Sequence, residues 1–316
     1  MKRMIFALLL AASSLSSVAS EFVTLGTGGG PVMRGKRSEP ANAVVVGRDV
    51  YLFDTGAGTE RQLLAAGLAL PRVRAIFISH HHIDHNADLG QLLASRWIFN
   101  HVQPLPLVGP PGTREMWAGL SAAFHPVELA PIGGPRRPEL AATVQARDLA
   151  SDMDTPTEIY KDEQIRVLAV TNTHYHFDPQ SAEARFSRSY SFRIEAPDRS
   201  YVYTGDTGPS KNVEQLAKGA DVLISEVIDL DAVGRLLKGL PNYPPAMLSS
   251  MLRHMEEDHL TPAEVGKLAA SAGVRQVVLT HLSPGMDDET DLSGYSRGIQ
   301  LIYQGPVHVA RDLDRN

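Results

Sequence analysis

Apolar and polar residues alternate along the chain with two different periods. Short runs rich in β-branched and aromatic residues at positions 22–25, 43–46, 50–53, 75–78, 165–170, 189–194, 201–204, 222–224 and 276–280 predict strands. Between them, positions 60–68, 87–97, 113–124, 213–218, 246–255 and 262–272 space their apolar residues three and four apart, which predicts amphipathic helices. The last helix carries its own start signal, with Thr261 as cap, Pro262 at the first helical position and Glu264 placed to close a capping box. Strands interleaved with helices predict an α/β fold. Residues 126–163 and 229–245 are poor in pattern and read as excursions over the surface. No repeat or low-complexity tract divides the chain.

The amino terminus reads differently. Met1-Lys2-Arg3 is basic, positions 4–12 are apolar, and Val18-Ala19-Ser20 offers the small residues a signal peptidase needs, so residues 1–20 read as an export signal and 21–316 as one domain. A nine-residue apolar run falls short of the roughly twenty that span a bilayer. The expected location is therefore periplasmic or secreted, without a membrane span. The net charge of −6 becomes more negative once Lys2 and Arg3 are removed, which speaks against a general nucleic-acid binder and for a small-molecule substrate. Apolar positions within 236–251 could cover a second copy in a homodimer.

Twelve His and no Cys limit the chemistry further. Disulfides, thiolate metal sites and cysteine nucleophiles are excluded, so any metal must be held by imidazoles and carboxylates. The informative stretch runs from Ile76 to His85, where an apolar strand ends in His80, His81, His82, Asp84 and His85. Packing cannot explain it, because burying so many polar rings without partners costs several kcal/mol. His80 and His82 are two apart and point the same way, whereas Asp84 and His85 fall on the following turn. Two adjacent metals suit that spacing, and His81 has the wrong parity for the first.

His80-x-His82-x-Asp84-His85 resembles the signature of the metallo-β-lactamase fold superfamily. The resemblance implies a four-layer αββα sandwich and further ligands downstream. A third His for the first metal is expected after the strand at 165–170, where His174 is favoured and His176 is the alternative. Asp206, after the strand at 201–204, matches the bridging carboxylate, and His281, after 276–280, matches the last ligand of the second metal. Two zinc ions are implied, with manganese or iron also acceptable to His and carboxylate donors.

The amino end, Leu25-Gly-Thr-Gly28-Gly29-Gly30-Pro31 and Phe53-Asp54-Thr-Gly56, is similar to the ribonuclease Z and arylsulfatase-like branch. Pro31 follows the glycines where a dinucleotide cradle needs a helix, so they read as a turn near the metals. The branch implies that Asp54 orients the metal loop and that His259, in His259-Leu-Thr261, assists catalysis. His281-Leu-Ser283-Pro284 matches its ending. The implied activity is hydrolysis of a phosphodiester, sulfate ester or similar small ester by a hydroxide shared between the metals, with Asp84 and His259 assisting. The basic residues that tRNA-processing members carry after Ser-Pro are replaced by Gly285-Met286-Asp287-Asp288, a departure that disfavours tRNA maturation. A lactonase or hydrolytic dehalogenase is the competing enzyme reading. A non-catalytic metal-binding module is the reading from another class.

Overall fold

A computed structural model describes residues 18–32, 34–130, 133, 137–178, 180–239 and 244–316. Its strands are β1 (Ser20–Gly26), β2 (Ala41–Val46), β3 (Asp49–Thr55), β4 (Val73–Phe77), β5 (Leu105–Gly109), β6 (Val144–Asp148), β7 (Thr157–Lys161), β8 (Arg166–Thr171), β9 (Tyr190–Glu195), β10 (Ser200–Tyr203), β11 (Val222–Ile228), β12 (Gln276–Ser283) and β13 (Val307–Val309). The helices are α1 (Thr59–Ala65), α2 (Leu89–Ile98), α3 (Thr113–Ala123), α4 (His125–Glu128), α5 (Glu183–Phe186), α6 (Lys211–Ala217), α7 (Leu230–Lys238), α8 (Pro245–Glu257) and α9 (Pro262–Ala272). Most of the expected export signal lies outside the described residues. Ser20 already belongs to β1, where its hydroxyl meets Asp198 and Tyr201.

The strands form one sheet in the order β1-β2-β3-β4-β5-β6 and a second in the order β13-β12-β11-β10-β9-β8-β7. In each sheet one half is antiparallel and the other parallel, the parallel half being β3 to β6 in the first and β10 to β13 in the second. Side-chain alternation explains the layering. Along β2, β3 and β4, Val44, Tyr51, Phe53 and Phe77 face the opposite sheet, while Val45, Leu52 and Ile76 face α1, α2 and α3. Strands covered on both faces must be apolar at successive positions, which is the run pattern seen in the sequence. Between the sheets Phe53 stacks on Phe77 at 4.9 Å, with Phe192 of the second sheet tilted against both. Leu216 of α6 and Val265 and Ala269 of α9 cover the outer face of the second sheet, completing the four-layer αββα sandwich.

Two expectations about pattern-poor segments are corrected. Residues 126–163 contain β6 and β7, the last strands of the two sheets, and 229–245 contains α7. An edge strand is covered on fewer sides and can carry charge, so Arg147, Glu158 and Lys161 interrupt the apolar signal there. Asp229 caps α7, whose Val233 and Leu237 pack against Leu248, Met251, Leu252 and Met255 of α8. Among the described residues, no helix is long and apolar enough to cross a membrane.

The start of α9 is as the sequence indicates. Thr261 accepts from the Glu264 amide while the Glu264 carboxylate accepts from the Thr261 amide. This cap fixes the exit direction of the segment that carries His259. Thr261→Ala should cost about 1 kcal/mol of stability, seen as a lower denaturant midpoint at unchanged slope. An unchanged midpoint would mean that the cap does not hold this junction.

Candidate metal centre

The loop leaving β4 turns sharply at a 3₁₀ turn, Ile83–His85, and this places its side chains on opposite walls of one buried space. His80 and His82 face inward with ring centroids 4.6 Å apart, and His174, at the end of β8, lies 4.6 Å from the first and 4.9 Å from the second. His81 turns away towards Thr113. Ligand atoms of His80, His82, His174 and Asp206 all lie within 4.8 Å of one another, and so do those of Asp84, His85 and His281. Asp206, just beyond β10, faces both sets. One oxygen is 3.4 Å from His85 Nε2; the other is 3.0 Å from His281 Nε2, 3.7 Å from His80 Nε2 and 3.9 Å from His174 Nε2.

Each of these residues sits near the carboxyl end of a strand, the edge where ligands bind in open α/β sheets. His281 differs from expectation in lying inside β12, at an irregularity in its pairing with β11, with φ of 43°. The glycine run passes directly over it. A Cβ at Gly29 would come within 2.6 Å of His281 Nδ1, so only glycine fits there.

Several imidazoles are anchored from behind. His85 Nδ1 donates to Asp54, whose carboxylate also accepts from the Ser79 amide and hydroxyl and from the Tyr203 hydroxyl on the opposite sheet. His174 Nδ1 donates to the carbonyl of Asp258. Asp54 achieves its position with φ of 63°, a conformation Asp tolerates better than most residues. Anchoring one nitrogen turns the other, with its lone pair, towards the centre.

The electrostatics divide along the same line. Burial pushes His80 and His174 well below the ordinary imidazole range, and neighbouring imidazoles add to this. Burial likewise lowers His82, to about 4. These three are neutral donors. Burial also acts against charge on His85 and His281, but Asp206 outweighs it and raises both, His281 to about 10. Asp206 and Asp84 are held below the usual carboxylate range despite burial, by His281 and His85. Positive charge is therefore wanted beside the carboxylates. His80 Nε2, His85 Nε2, both ring nitrogens of His281, Asp84 Oδ2 and Asp206 Oδ1 are buried without a hydrogen-bond partner. Each such orphan costs about 1–3 kcal/mol, more when charged. A pair of divalent cations answers these demands at every atom but His281 Nδ1, which faces away towards Gly29 and Glu226, and the nitrogen and oxygen donors suit zinc, manganese or iron.

His259 stands beside this group, its ring 5.0 Å from His174 and 5.9 Å from His281. Its Nδ1 donates to Glu226, whose other oxygen accepts from the Thr207 amide next to Asp206. Burial opposes charge on His259, yet Glu226 raises it above the ordinary range. Glu226 was not anticipated from the sequence, although one carboxylate inside the apolar run of β11 was a signal. The alternative ligand His176 turns outward and bonds the Asp258 carboxylate, which also takes His254 Nδ1. Neither Asp258 nor His254 carries a sequence motif.

The profile of the Beta-lactamase superfamily domain matches residues 50–282. A ribonuclease Z of Mycobacterium sp. (strain KMS) is 32% identical over 276 residues, covering 84% of this chain and 84% of its own length. One of Mycolicibacterium gilvum (strain PYR-GCK) is 29% identical over 303 residues, covering 93% and 95%. In fold the chain is similar to the metallo-beta-lactamase fold protein YhfI from Bacillus subtilis, with a TM-score of 0.66 at 17% identity over 94% of this chain and 98% of that one. It is similarly close to the short form of human tRNase Z, with a TM-score of 0.63 at 21% identity over 94% and 98%.

Asp54→Asn keeps the size and the backbone tolerance of Asp while replacing Oδ2, the acceptor in three of its four hydrogen bonds, with a donor. It should weaken metal binding about 10- to 100-fold, as seen by competition with a chromophoric chelator. Unaltered affinity would show that Asp54 does not hold His85 in place.

Proposed function

Because the chain belongs to the β-lactamase superfamily, in its ribonuclease Z-like branch, we propose that this metal-dependent hydrolase cleaves phosphodiesters with two divalent cations, zinc first among them. The observation that carries the reading is Asp206, one carboxylate facing two sets of buried donors. His80, His82 and His174 would hold one ion, Asp84, His85 and His281 the other, and Asp206 both. Bound there, the pair would acidify a shared water and polarise the phosphoryl oxygen. Asp84 is placed to orient that water as well as to bind metal. His259, steadied by Glu226, is placed to meet the leaving oxygen or the charge that grows on the phosphoryl group.

The relatives named ribonuclease Z move the substrate from the generic small ester suggested by the sequence towards a ribonucleotide phosphodiester. Net charge favours a short one, since long RNA demands a basic surface and this chain carries −6. The basic and apolar start at residues 1–20 supports export to the periplasm or beyond, which fractionation of expressing cells would test.

Metal-replete protein should hydrolyse bis-p-nitrophenyl phosphate, lose that activity to a chelator and regain it with zinc or manganese. Asp206→Ala should lower the rate at least about 10³-fold together with metal content. His259→Ala should keep the metal while kcat falls about 10²- to 10⁴-fold. Full activity in Asp206→Ala would refute the reading, and bound metal without turnover of any phosphodiester would favour a binding module.

A further inference from the structure

The segment preceding His259 holds a second imidazole, His254, that belongs to neither set of metal donors. Asp258 is buried, and it organises three histidines at once. Its carbonyl takes His174 Nδ1, and its carboxylate takes His176 Nδ1 on one side and His254 Nδ1 on the other, the latter at 2.5 Å. His254 projects from the last turn of α8 with its ring 5.3 Å from His174, 5.5 Å from His259 and 6.1 Å from His82. A ring nitrogen of His254 falls within 4.8 Å of ring nitrogens of both His174 and His259. The side chain is one-third exposed, so it stands at the mouth of the metal centre rather than inside it.

His254 Nδ1 faces the carboxylate of Asp258, so in the neutral ring the hydrogen sits on Nδ1 and the acceptor is the opposite nitrogen, Nε2. Among the described residues no side chain or backbone group hydrogen-bonds it. His80, His82 and His174 already supply one proposed ion, and His259 is backed by its own carboxylate. The ring stands at the mouth of the centre, outside both donor sets and one-third exposed, so a hydrogen-bond donor on a bound ester can reach it in place of solvent.

We infer that His254 is a specificity-determining residue that accepts a hydrogen bond from a hydroxyl on the carbon next to the scissile phosphoester, with Asp258 as its positioning residue. The inference rests on the phosphodiesterase reading. The ligand class is a phosphodiester of a vicinal diol, of which a ribonucleotide linkage is the simplest example. Asp258 couples this hydroxyl subsite to the metal centre mechanically, because the residue that aims His254 also fixes His174.

The test compares uridylyl-(3′→5′)-uridine with its counterpart lacking the 2′-hydroxyl on the 3′-linked sugar, alongside bis-p-nitrophenyl phosphate. For the wild-type protein kcat/KM should be about tenfold higher on the hydroxylated dinucleotide, the scale of one well-aligned hydrogen bond. His254→Leu should reduce the hydroxylated substrate to the level of the other, leave the other two rates and the metal content unchanged, and bring the ratio near one. His254→Gln, whose amide oxygen can accept, should restore part of the preference. An equal loss on all substrates, a loss of metal in His254→Leu, or a wild-type protein that hydrolyses both dinucleotides equally would overturn the inference and leave the phosphodiesterase reading standing. Failure of the metal-replete wild-type protein on all three substrates would overturn both.

Discussion

The structure depends on one electrostatic constraint. Asp84 and Asp206 are buried among five inward-facing imidazoles, and Asp84 Oδ2 and Asp206 Oδ1 have no hydrogen-bond partner. Buried charge without compensation is among the most expensive things a fold can contain. The carboxylates favour the charged form of His85 and His281, the two imidazoles beside them, while burial favours the neutral form of His80, His82 and His174. Cations in place of those protons would satisfy carboxylates and imidazoles together. Asp206 decides the geometry, since it is the only carboxylate of the cluster within 4 Å of imidazoles from both sets among the described residues.

Such a cluster must be assembled against mutual repulsion, and the sandwich does this from two sides. The first sheet delivers His80, His82, Asp84 and His85 from the end of β4; the second delivers His174, Asp206 and His281 from β8, β10 and β12. One buried carboxylate locks the halves together and a second braces the site within the second half. Asp54 on β3 reaches across to Tyr203 on β10, and Glu226 on β11 joins the Asp206 loop to His259. The loop itself lies so close to the 257–259 segment that a Cβ at Gly208 would come within 2.2 Å of the Glu257 carbonyl oxygen. Chemistry at the mouth is therefore set by residues whose own positions are fixed by the core.

Much of this was legible in the sequence because it is written locally. The spacing of His80, His82, Asp84 and His85 is a short-range pattern, and the apolar runs before His174 and Asp206 end where the side chains are needed. Continuous apolar runs also marked most of the strands. What stayed hidden is tertiary or marginal in pattern. Glu226 looks like an interruption of β11 until His259 is seen beside it. Asp258 and His254 acquire meaning only because α8 leans over the centre. The strands β6 and β7 carry charge as edges do, and β13 has three residues. The choice between His174 and His176 was one of direction along a turning chain, and the two point opposite ways, His174 into the cluster and His176 out to Asp258.

The central claim is that two cations lie side by side with Asp206 between them. Anomalous diffraction from crystals of the zinc-replete protein, recorded on both sides of the zinc absorption edge, tests it most directly. Two peaks about 3.5–4 Å apart are predicted, one among His80, His82 and His174 and the other among Asp84, His85 and His281, both touching Asp206. A single peak, or a pair of peaks that leaves Asp206 unligated, would contradict it.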